Sequence, residues 1–272
     1  MQMHSIHPRE IFKSLWRNRE LVWVLSKRDV LGRYRGSVFG ILWSILNPIL
    51  MLLVYTFVFS VIFKARWNVD SASKTEFALV LLAGLMLFGF FSECISRAPS
   101  LILSNINYVK KVVFPLEVLP WISLGAALFQ FMISLLVWLV AYVVLFGVPH
   151  ITLLYLPLVL IPFIFFVMGL SWIFASLGVY LRDVSQFVSV LISVLMFLSP
   201  IFYPLSALPP EYQVLVSLSP IASVVEMTRD VLFWGKDPNW FVWLVGIFGS
   251  ASVAWLGFAL FQKTRKGFAD VV

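Results

Sequence analysis

The chain has 272 residues, of which 61% are hydrophobic and only 12% are charged, and its formal net charge is +7. A soluble domain of this length needs more charge to cover its surface, so the composition excludes a soluble protein and indicates a polytopic membrane protein. The single Cys94 excludes an internal disulfide framework, the three histidines are scattered, and no catalytic or P-loop motif is present. No metal site and no covalent chemistry are therefore expected in this chain.

The N-terminal 36 residues are polar and basic, with no cleavable signal peptide. Within 8–36, four apolar side chains fall on one helical stripe: Ile11, Leu15, Val22 and Leu25. Lys and Arg residues lie on the opposite side, and this pattern predicts an amphipathic helix in the cytoplasmic membrane interface. A cytoplasmic helix packed on another protein is the alternative interpretation.

Six apolar runs follow, each near the roughly 20 residues that cross about 30 Å of hydrocarbon. They lie at about 37–63, 77–96, 118–146, 153–180, 186–203 and 240–262. The sequence therefore predicts an all-α integral membrane protein, with a six-span domain at 37–262 and a cytoplasmic tail at 263–272. Fifteen of its twenty Lys and Arg residues fall on the side of the termini. This excess predicts that both termini are cytoplasmic, and it explains the basic charge without nucleic acid.

The inside loop at 97–117 is punctuated by prolines and has a short helical pattern at 100–109. The helix is too short to span and too apolar for a solvated linker, so the loop either docks on a cytoplasmic partner or packs under its own bundle. Just before the loop, Glu93 is the only acid within a predicted span. An ion pair with Arg97, four residues later, is favoured over a role in transport.

The outside segment at 204–239 has the signals of two short helices. Ser219 suits an N-cap, Pro220 a first helical turn, and Gly235 a helix stop. Neither helix can cross the membrane, so the segment is expected to dip into the outer interface as a lid or re-entrant hairpin. A decorative loop is the alternative, and the density of apolar residues argues against it.

Aromatic residues are abundant in the spans, either as ordinary packing or as the lining of a conduit whose ring faces stack on sugar C–H faces. Candidate lining residues are Trp43, Asn47, Tyr55 and Phe59 in the first span and Met196, Phe197, Phe202 and Tyr203 in the fifth.

The tripeptide Arg-Asp-Val precedes both the first and the fifth span, at 28–30 and 182–184. Pro48 and Pro200 follow at similar distances, which hints that both spans face the same channel. If the Arg–Asp neighbours pair, Arg182 and Asp183 form a structural salt bridge.

Four collinear stretches resemble the permeases of type-2 ABC exporters, in the branch that exports polysaccharides and polyol phosphates. They are RDVLGRYRGSVFGILWSILNPILMLLVYTFVFSVIF, NINYVKKVVFPLEVLP, GVYLRDVSQFVSVLISVLMFLSPIFYP and SLSPIASVVEMTRDVLF. The resemblance covers nearly the whole chain. It implies a subunit that forms a homodimer around one channel and pairs with two copies of a cytoplasmic ATPase, which alone binds ATP and Mg.

The same resemblance assigns roles to the three segments outside the spans: interface helix, ATPase-docking loop and periplasmic gate. The docking residues it implies are Ser100, Leu101, Ser104, Asn105, Asn107, Tyr108, Lys110 and Lys111. The gate residues are Pro209, Pro210, Pro220, Glu226 and Arg229. Arg28, Arg33 and Arg35 are candidates to receive the diphosphate of a lipid-linked polymer, because guanidinium forks suit phosphate oxygens. Positive-inside anchoring alone is the alternative for these three arginines.

The expected function is therefore ATP-driven export of a lipid-linked polysaccharide across the bacterial inner membrane, with O-antigen on undecaprenyl diphosphate as the expected cargo. The first alternative is another cargo, such as capsule, teichoic acid or a small hydrophobic molecule. The second is an ion-coupled flippase that works alone. An intramembrane transferase is disfavoured because a catalytic cluster is missing.

Overall fold

The computed structural model describes residues 7–62, 67, 74–110 and 114–271. These residues form helices and turns, with no strand among them, which confirms the predicted all-α class. Two helices, α1 (Pro8–Arg17) and α2 (Arg19–Arg33), open the fold. The later helices are α3 (Trp43–Tyr55), α4 (Lys74–Arg97), α5 (Ile106–Lys110), α6 (Leu119–Phe146), α7 (Leu156–Tyr180), α8 (Val184–Leu198), α9 (Pro210–Ser217), α10 (Pro220–Arg229), α11 (Trp240–Thr264) and α12 (Phe268–Val271).

The predicted interface helix is divided at Asn18, between α1 and α2. The Asn18 side chain donates to the Ser14 carbonyl at 2.8 Å, a local hydrogen bond that competes with continued helix. All four residues of the predicted apolar stripe pack in or against the core. Trp16 and Trp23 point away from the bundle and are more than 70% exposed. The predicted apolar stripe therefore faces the bundle, and the location of the two helices in the membrane interface stays a prediction.

Within the described ranges, five helical segments are long and apolar enough to cross a membrane: Gly40–Phe59, Thr75–Ser100, Leu116–Phe146, Ile151–Tyr180 and Trp240–Val271. The first includes a proline inside α3 and runs into a π-helical stretch at Thr56–Ile62. By length and composition these segments agree with five of the six predicted spans.

The fifth predicted span, at 186–203, is shorter than expected. Its helix α8 has 15 residues and ends at Leu198. Ser199 is extended and Pro200 cannot continue the hydrogen-bond ladder, so the helix stops there. At 1.5 Å per residue α8 is about 22 Å long, less than the roughly 30 Å of a hydrocarbon core.

Helix α4 is the centre of the bundle. Its residues from Phe77 to Leu82 are at most 4% exposed, as expected for a helix that is apolar on all sides. On one flank α7 and α11 approach so closely that a Cβ on Gly257 would lie 2.2 Å from the Gly169 carbonyl oxygen. On the other flank α2 packs on α6, where a Cβ on Gly125 would lie 2.5 Å from the Ser26 hydroxyl.

The segment between α8 and α11 contains two short helices, as predicted. Ser219 occupies the N-cap of α10 and Pro220 its first position, although the serine side chain makes no capping hydrogen bond. Gly235 ends the following π turn with a φ of +63°, a left-handed conformation that glycine adopts without strain. A Cβ at this glycine would also meet the His150 ring at 2.7 Å.

Candidate functional site

Helices α3 and α8 leave one side largely uncovered in the single chain. On α3 and the π-helical stretch that follows it, the exposed side includes Trp43, Leu53 and Phe57. On α8 it carries Phe187, Val190, Val194 and Phe197, together with the exposed serines Ser185, Ser189 and Ser193. The Ser189 and Ser193 hydroxyls donate to carbonyls one turn earlier, at 2.9 and 3.0 Å, which lowers the cost of placing them in an apolar region. This side of α8 is therefore mixed, with a serine stripe beside large apolar side chains.

The predicted aromatic lining forms a cluster near the end of α8. Phe202 stacks on Phe59 and on Phe197, with ring centroids 5.7 and 5.8 Å apart, and Tyr55 lies 6.5 Å from the same ring. Phe197 is 66% exposed, whereas Met196 and Phe202 are half-buried against the core. Of the predicted lining residues, Trp43 and Asn47 on α3 and Phe197 on α8 are exposed.

Two residues predicted to line the conduit border an open cavity of their own chain, where Asn47 is exposed and Tyr55 is half-buried. Asn47 and Tyr55 line a cavity of about 310 Å³ between α3, α4 and α6, together with Pro48 and Met51. Tyr203 caps a helix, because its hydroxyl donates to the carbonyls of Phe197 and Leu198 at 3.2 and 3.0 Å. The sequence pattern cannot distinguish the faces of α3, since the helix is apolar on nearly all sides.

A cluster of four charged residues joins α2 to α4. Arg97 contacts both carboxylate oxygens of Asp29 at 2.7 Å, and Arg33 pairs with Asp29 at 3.0 Å and also with Glu93. The predicted pair of Glu93 and Arg97 is present at 4.0 Å, but the bidentate contact with Asp29 is closer. Burial raises the pKa of Asp29, and the hydrogen bonds and charges of Arg97 and Arg33 outweigh it, so the pKa lies below its usual value.

The three arginines predicted to receive a diphosphate lie in different environments. Arg33 belongs to the charged cluster, and Arg28 donates to the Tyr108 hydroxyl at 2.9 Å. Arg28 and Tyr108 line a second cavity of about 310 Å³, between α2, α6 and the docking loop. Arg35 is exposed in the turn after α2. The three guanidinium groups therefore differ in their partners, and a shared role at a diphosphate stays a prediction.

The predicted docking loop is a series of short turns rather than one helix. Two 3-10 turns, Ala98–Ser100 and Leu103–Asn105, precede α5. The exposed residues of this loop include Ser100, Ser104, Asn107 and Lys110, and Lys111 lies outside the described residues. Leu101 is buried, which corrects its assignment to the docking surface, since the apolar side chain packs into the bundle.

Glu117, at the end of the docking loop, is a residue that the sequence analysis missed. Its carboxylate accepts from the Ser14 hydroxyl at 3.0 Å and from Arg265 at 2.5 Å, while Arg265 also donates to the Phe114 carbonyl at 2.8 Å. Glu117 is 6% exposed. It therefore ties the N-terminal helix and the C-terminal end of the chain to the docking loop. A lone acid between two apolar runs was the available signal.

The outer segment contains an arginine that is buried rather than presented to solvent. Arg229 is 1% exposed and donates to the carbonyls of Pro200, Ile201 and Val80 at 2.5, 2.7 and 3.1 Å. It also pairs with Glu226 at 2.9 Å. Burial raises the pKa of Glu226 and lowers that of Arg229 to about 10. Pro209, Pro210 and Pro220 are exposed at the starts of their helices.

The structure does not form the predicted pair of Arg182 and Asp183. Both side chains are exposed in the turn before α8, and neither belongs to an ion pair among the described residues. Adjacent residues in a turn do not face each other, which accounts for the difference. In the described ranges no cluster of His, Cys, Asp or Glu could hold a metal ion.

Comparison with known proteins gives matches along most of the chain. Residues 20–233 match the model of the ABC-2 type transporter family. The chain is 28% identical to the O-antigen export system permease protein RfbA of Myxococcus xanthus, over 96% of this chain and 99% of the relative. It is 27% identical to a protein of the same name from Klebsiella pneumoniae, over 93% and 95% of the two chains. It is 26% identical to the polysialic acid transport protein KpsM of Escherichia coli, over 79% and 81%.

Proposed function

The chain belongs to the ABC-2 type transporter family, and from that premise we propose that it is the membrane subunit of an ATP-driven exporter of lipid-linked polysaccharide. O-antigen is the cargo we favour, because the relatives that are 27% and 28% identical over nearly their full length are named for O-antigen export. Capsule polysaccharide is the second candidate, supported by a 23% identical capsule export protein from Neisseria meningitidis. The chain is a permease and performs no covalent chemistry.

The observation that carries this proposal is the uncovered side of α3 and α8. An apolar helix face suits lipid, but the serine stripe at 185, 189 and 193 beside exposed rings suits a surface that a sugar polymer slides along. The exposed side of α11 differs, since Phe241, Val245 and Phe248 make it more uniformly apolar. We infer that two copies of the chain bring their α3 and α8 sides together around one conduit, while α11 faces lipid.

The charged groups give the proposed orientation. We infer that α1, α2, the docking loop and both termini lie on the cytoplasmic side of the inner membrane, where Lys and Arg residues concentrate. In this arrangement α8 is the fifth of six crossings in chain order. It is shortened, and the turn at 199–203 completes it. The helices α9 and α10 then lie at the outer end of the conduit, where they would act as its gate.

The docking loop is the proposed mechanical link between the ATPase and the helices of this chain. We infer that two copies of a cytoplasmic ATPase bind the exposed side of the loop, and that ATP and Mg bind only in those subunits. Movement of the loop reaches α2 through Arg28 and Tyr108, and it reaches α1 and the C-terminal end through Glu117. The coupling is mechanical. Of the three arginines, Arg35 is the one most available to meet a diphosphate, because the other two have partners in the protein.

The proposal is tested by narrowing the conduit without disturbing the fold. Ser193→Trp places a large ring on the exposed side of α8, and Ser252→Trp, which makes the same change on the exposed side of α11, is the matched control. Both variants are expected to assemble with the ATPase, because neither position is packed against its own chain. Surface polysaccharide is expected to fall at least tenfold in S193W and to stay unchanged in S252W. Equal export by the two variants would contradict the proposal.

A further inference from the structure

Helix α3 contains a break in its hydrogen-bond ladder. Pro48 lies inside the helix and has no N–H, so the carbonyl of Ser44, four residues earlier, loses its ladder partner. Ser44 and Pro48 are both buried. Inside a membrane no water is available to such a carbonyl, so another donor must satisfy it.

The donor comes from α6. The Gln130 side-chain amide donates from Nε2 to the Ser44 carbonyl at 3.0 Å. Its oxygen, Oε1, accepts from the Tyr34 hydroxyl at 3.2 Å. These two contacts fix the orientation of the amide, because a carbonyl can only accept and the nitrogen can only donate. Gln130 therefore fills the position that proline vacates.

Tyr34 connects this break to the interface helix. It is the residue that ends α2, one residue after Arg33 of the charged cluster. The end of α2 is thus held on one side by ion pairs to α4 and on the other by the hydrogen bond to Gln130. A shift of α2 that moves Tyr34 must move the amide that caps the broken carbonyl.

Space for movement lies next to the break. The cavity between α3, α4 and α6 is lined by Asn47, Pro48 and Met51 from α3 and by Gln130 and Ser134 from α6. A proline kink beside an open volume of about 310 Å³ can bend further inward without displacing packed side chains.

We propose that Gln130 is a positioning residue that sets the kink of α3 by capping the carbonyl freed by Pro48, and that Tyr34 links this kink to the interface helix. The proposal rests on the proposed function in one respect, namely that α3 borders the conduit. Gln130 acts through α3 and does not itself touch the cargo.

The test is a double-mutant cycle in the full chain with its ATPase. Gln130→Leu removes the donor and is expected to lower export about tenfold, within the threefold to thirtyfold range of a hydrogen bond between membrane helices. Pro48→Ala restores an N–H for the Ser44 carbonyl, so in that background Gln130→Leu is expected to cause no further loss. Tyr34→Phe leaves the hydrogen bond from Gln130 to the Ser44 carbonyl in place but removes the hydroxyl that donates to the Gln130 side-chain oxygen. A smaller loss of export is expected.

The matched control is Trp138→Phe, which removes another donor of α6. Trp138 donates to the Leu79 carbonyl at 2.8 Å, and the residue four positions later is Ala83, which keeps its N–H. Pro48→Ala should therefore not lessen the effect of Trp138→Phe. An equal loss from Gln130→Leu in both backgrounds, or no loss in either, would overturn the proposal.

A second readout separates this proposal from the proposed function. The unfolding midpoint of the purified full chain in lipid nanodiscs is expected to drop by about 3 °C in Q130L and not to drop further when Q130L is added to P48A. If the unfolding midpoints follow this pattern while the wild-type complex exports no polysaccharide, the proposed role of Gln130 at the Ser44 carbonyl is supported and the proposed export function is contradicted. If export occurs and the midpoints are additive, the cap fails alone.

Discussion

The buried Arg229 gives the most quantitative prediction. Its guanidinium group holds together the turn after α8, the first turns of α4 and the end of α10, through three carbonyls and the Glu226 carboxylate. It also lies over the Trp67 ring, 4.2 Å from the centroid. Hydrogen bonds from a charged group contribute about 1.5–3 kcal/mol each, and two of them go to the carbonyls of the turn. Arg229→Met is therefore expected to lower the free energy of unfolding by about 3–5 kcal/mol.

Related variants distinguish the geometry from the charge. Arg229→Lys keeps the charge but loses the planar fork, and we expect about half the cost of R229M. Gly84→Ala leaves Arg229 in place but crowds its guanidinium group from α4, because the added Cβ would lie 2.8 Å from Arg229 Nη2. Such overpacking is expected to cost about 1–3 kcal/mol.

The assay is denaturant unfolding of the purified chain in detergent micelles, followed by tryptophan fluorescence. The exposed Arg9 provides the matched control, since Arg9→Met should change the free energy of unfolding by less than about 0.5 kcal/mol. If R229M proves as stable as R9M, the buried arginine does not hold these elements together and the reasoning is wrong.

Two further predictions concern the charged contacts of the cytoplasmic side. Glu117→Ala and Arg265→Met should each lower the free energy of unfolding by about 3 kcal/mol, because each single change leaves a partner unpaired. The double variant should be at least 1 kcal/mol more stable than the sum of the two single effects predicts. Additive changes in the free energy of unfolding would show that the pair is not coupled. Because the pKa of Asp29 in the folded chain lies below its value of 3.8 in the unfolded chain, its stabilisation is fully present above pH 3.8 and is lost as the pH falls through the folded-state value. Asp29→Asn should therefore speed hydrogen exchange in α2 at neutral pH and remove the acid sensitivity expected of the wild type, whereas an unchanged acid response in D29N would assign it to another group.

The fold was largely predictable because membrane spans are long and apolar. Hydrophobic length located the first four of these spans to within four residues, whereas the last segment, which runs to Val271, extends nine residues beyond its predicted end at 262. Proline and glycine signals located α9 and α10. The end of α8 was placed five residues too late, because the apolar pattern continues past Ser199 while the proline that stops the helix lies within it. Periodicity also failed to show that α1 and α2 separate at Asn18, where a side chain competes for the backbone.

The candidate site was less predictable, because its contacts join residues far apart in the sequence. Nothing near Gln130 indicates that it caps a carbonyl 86 positions earlier, and nothing near Asp29 indicates a bidentate contact with Arg97. Arg229 reads as a surface residue in its segment, and only the folded chain shows that three backbone carbonyls surround it. Side-chain type predicted which residues could form such contacts, but the partners depend on how the helices pack.

The proposed activity of this chain and its ATPase is the movement of a lipid-linked polysaccharide with the energy of ATP. The direct measurement reconstitutes both proteins in vesicles loaded with a lipid-linked glycan and follows the arrival of the glycan on the opposite face. Transfer of the glycan is expected to require ATP and both proteins. It is expected to stop when the ATPase is replaced by a variant that cannot hydrolyse ATP. Transfer by the chain alone under an ion gradient, or ATP turnover by the complex with no glycan transfer, would contradict it.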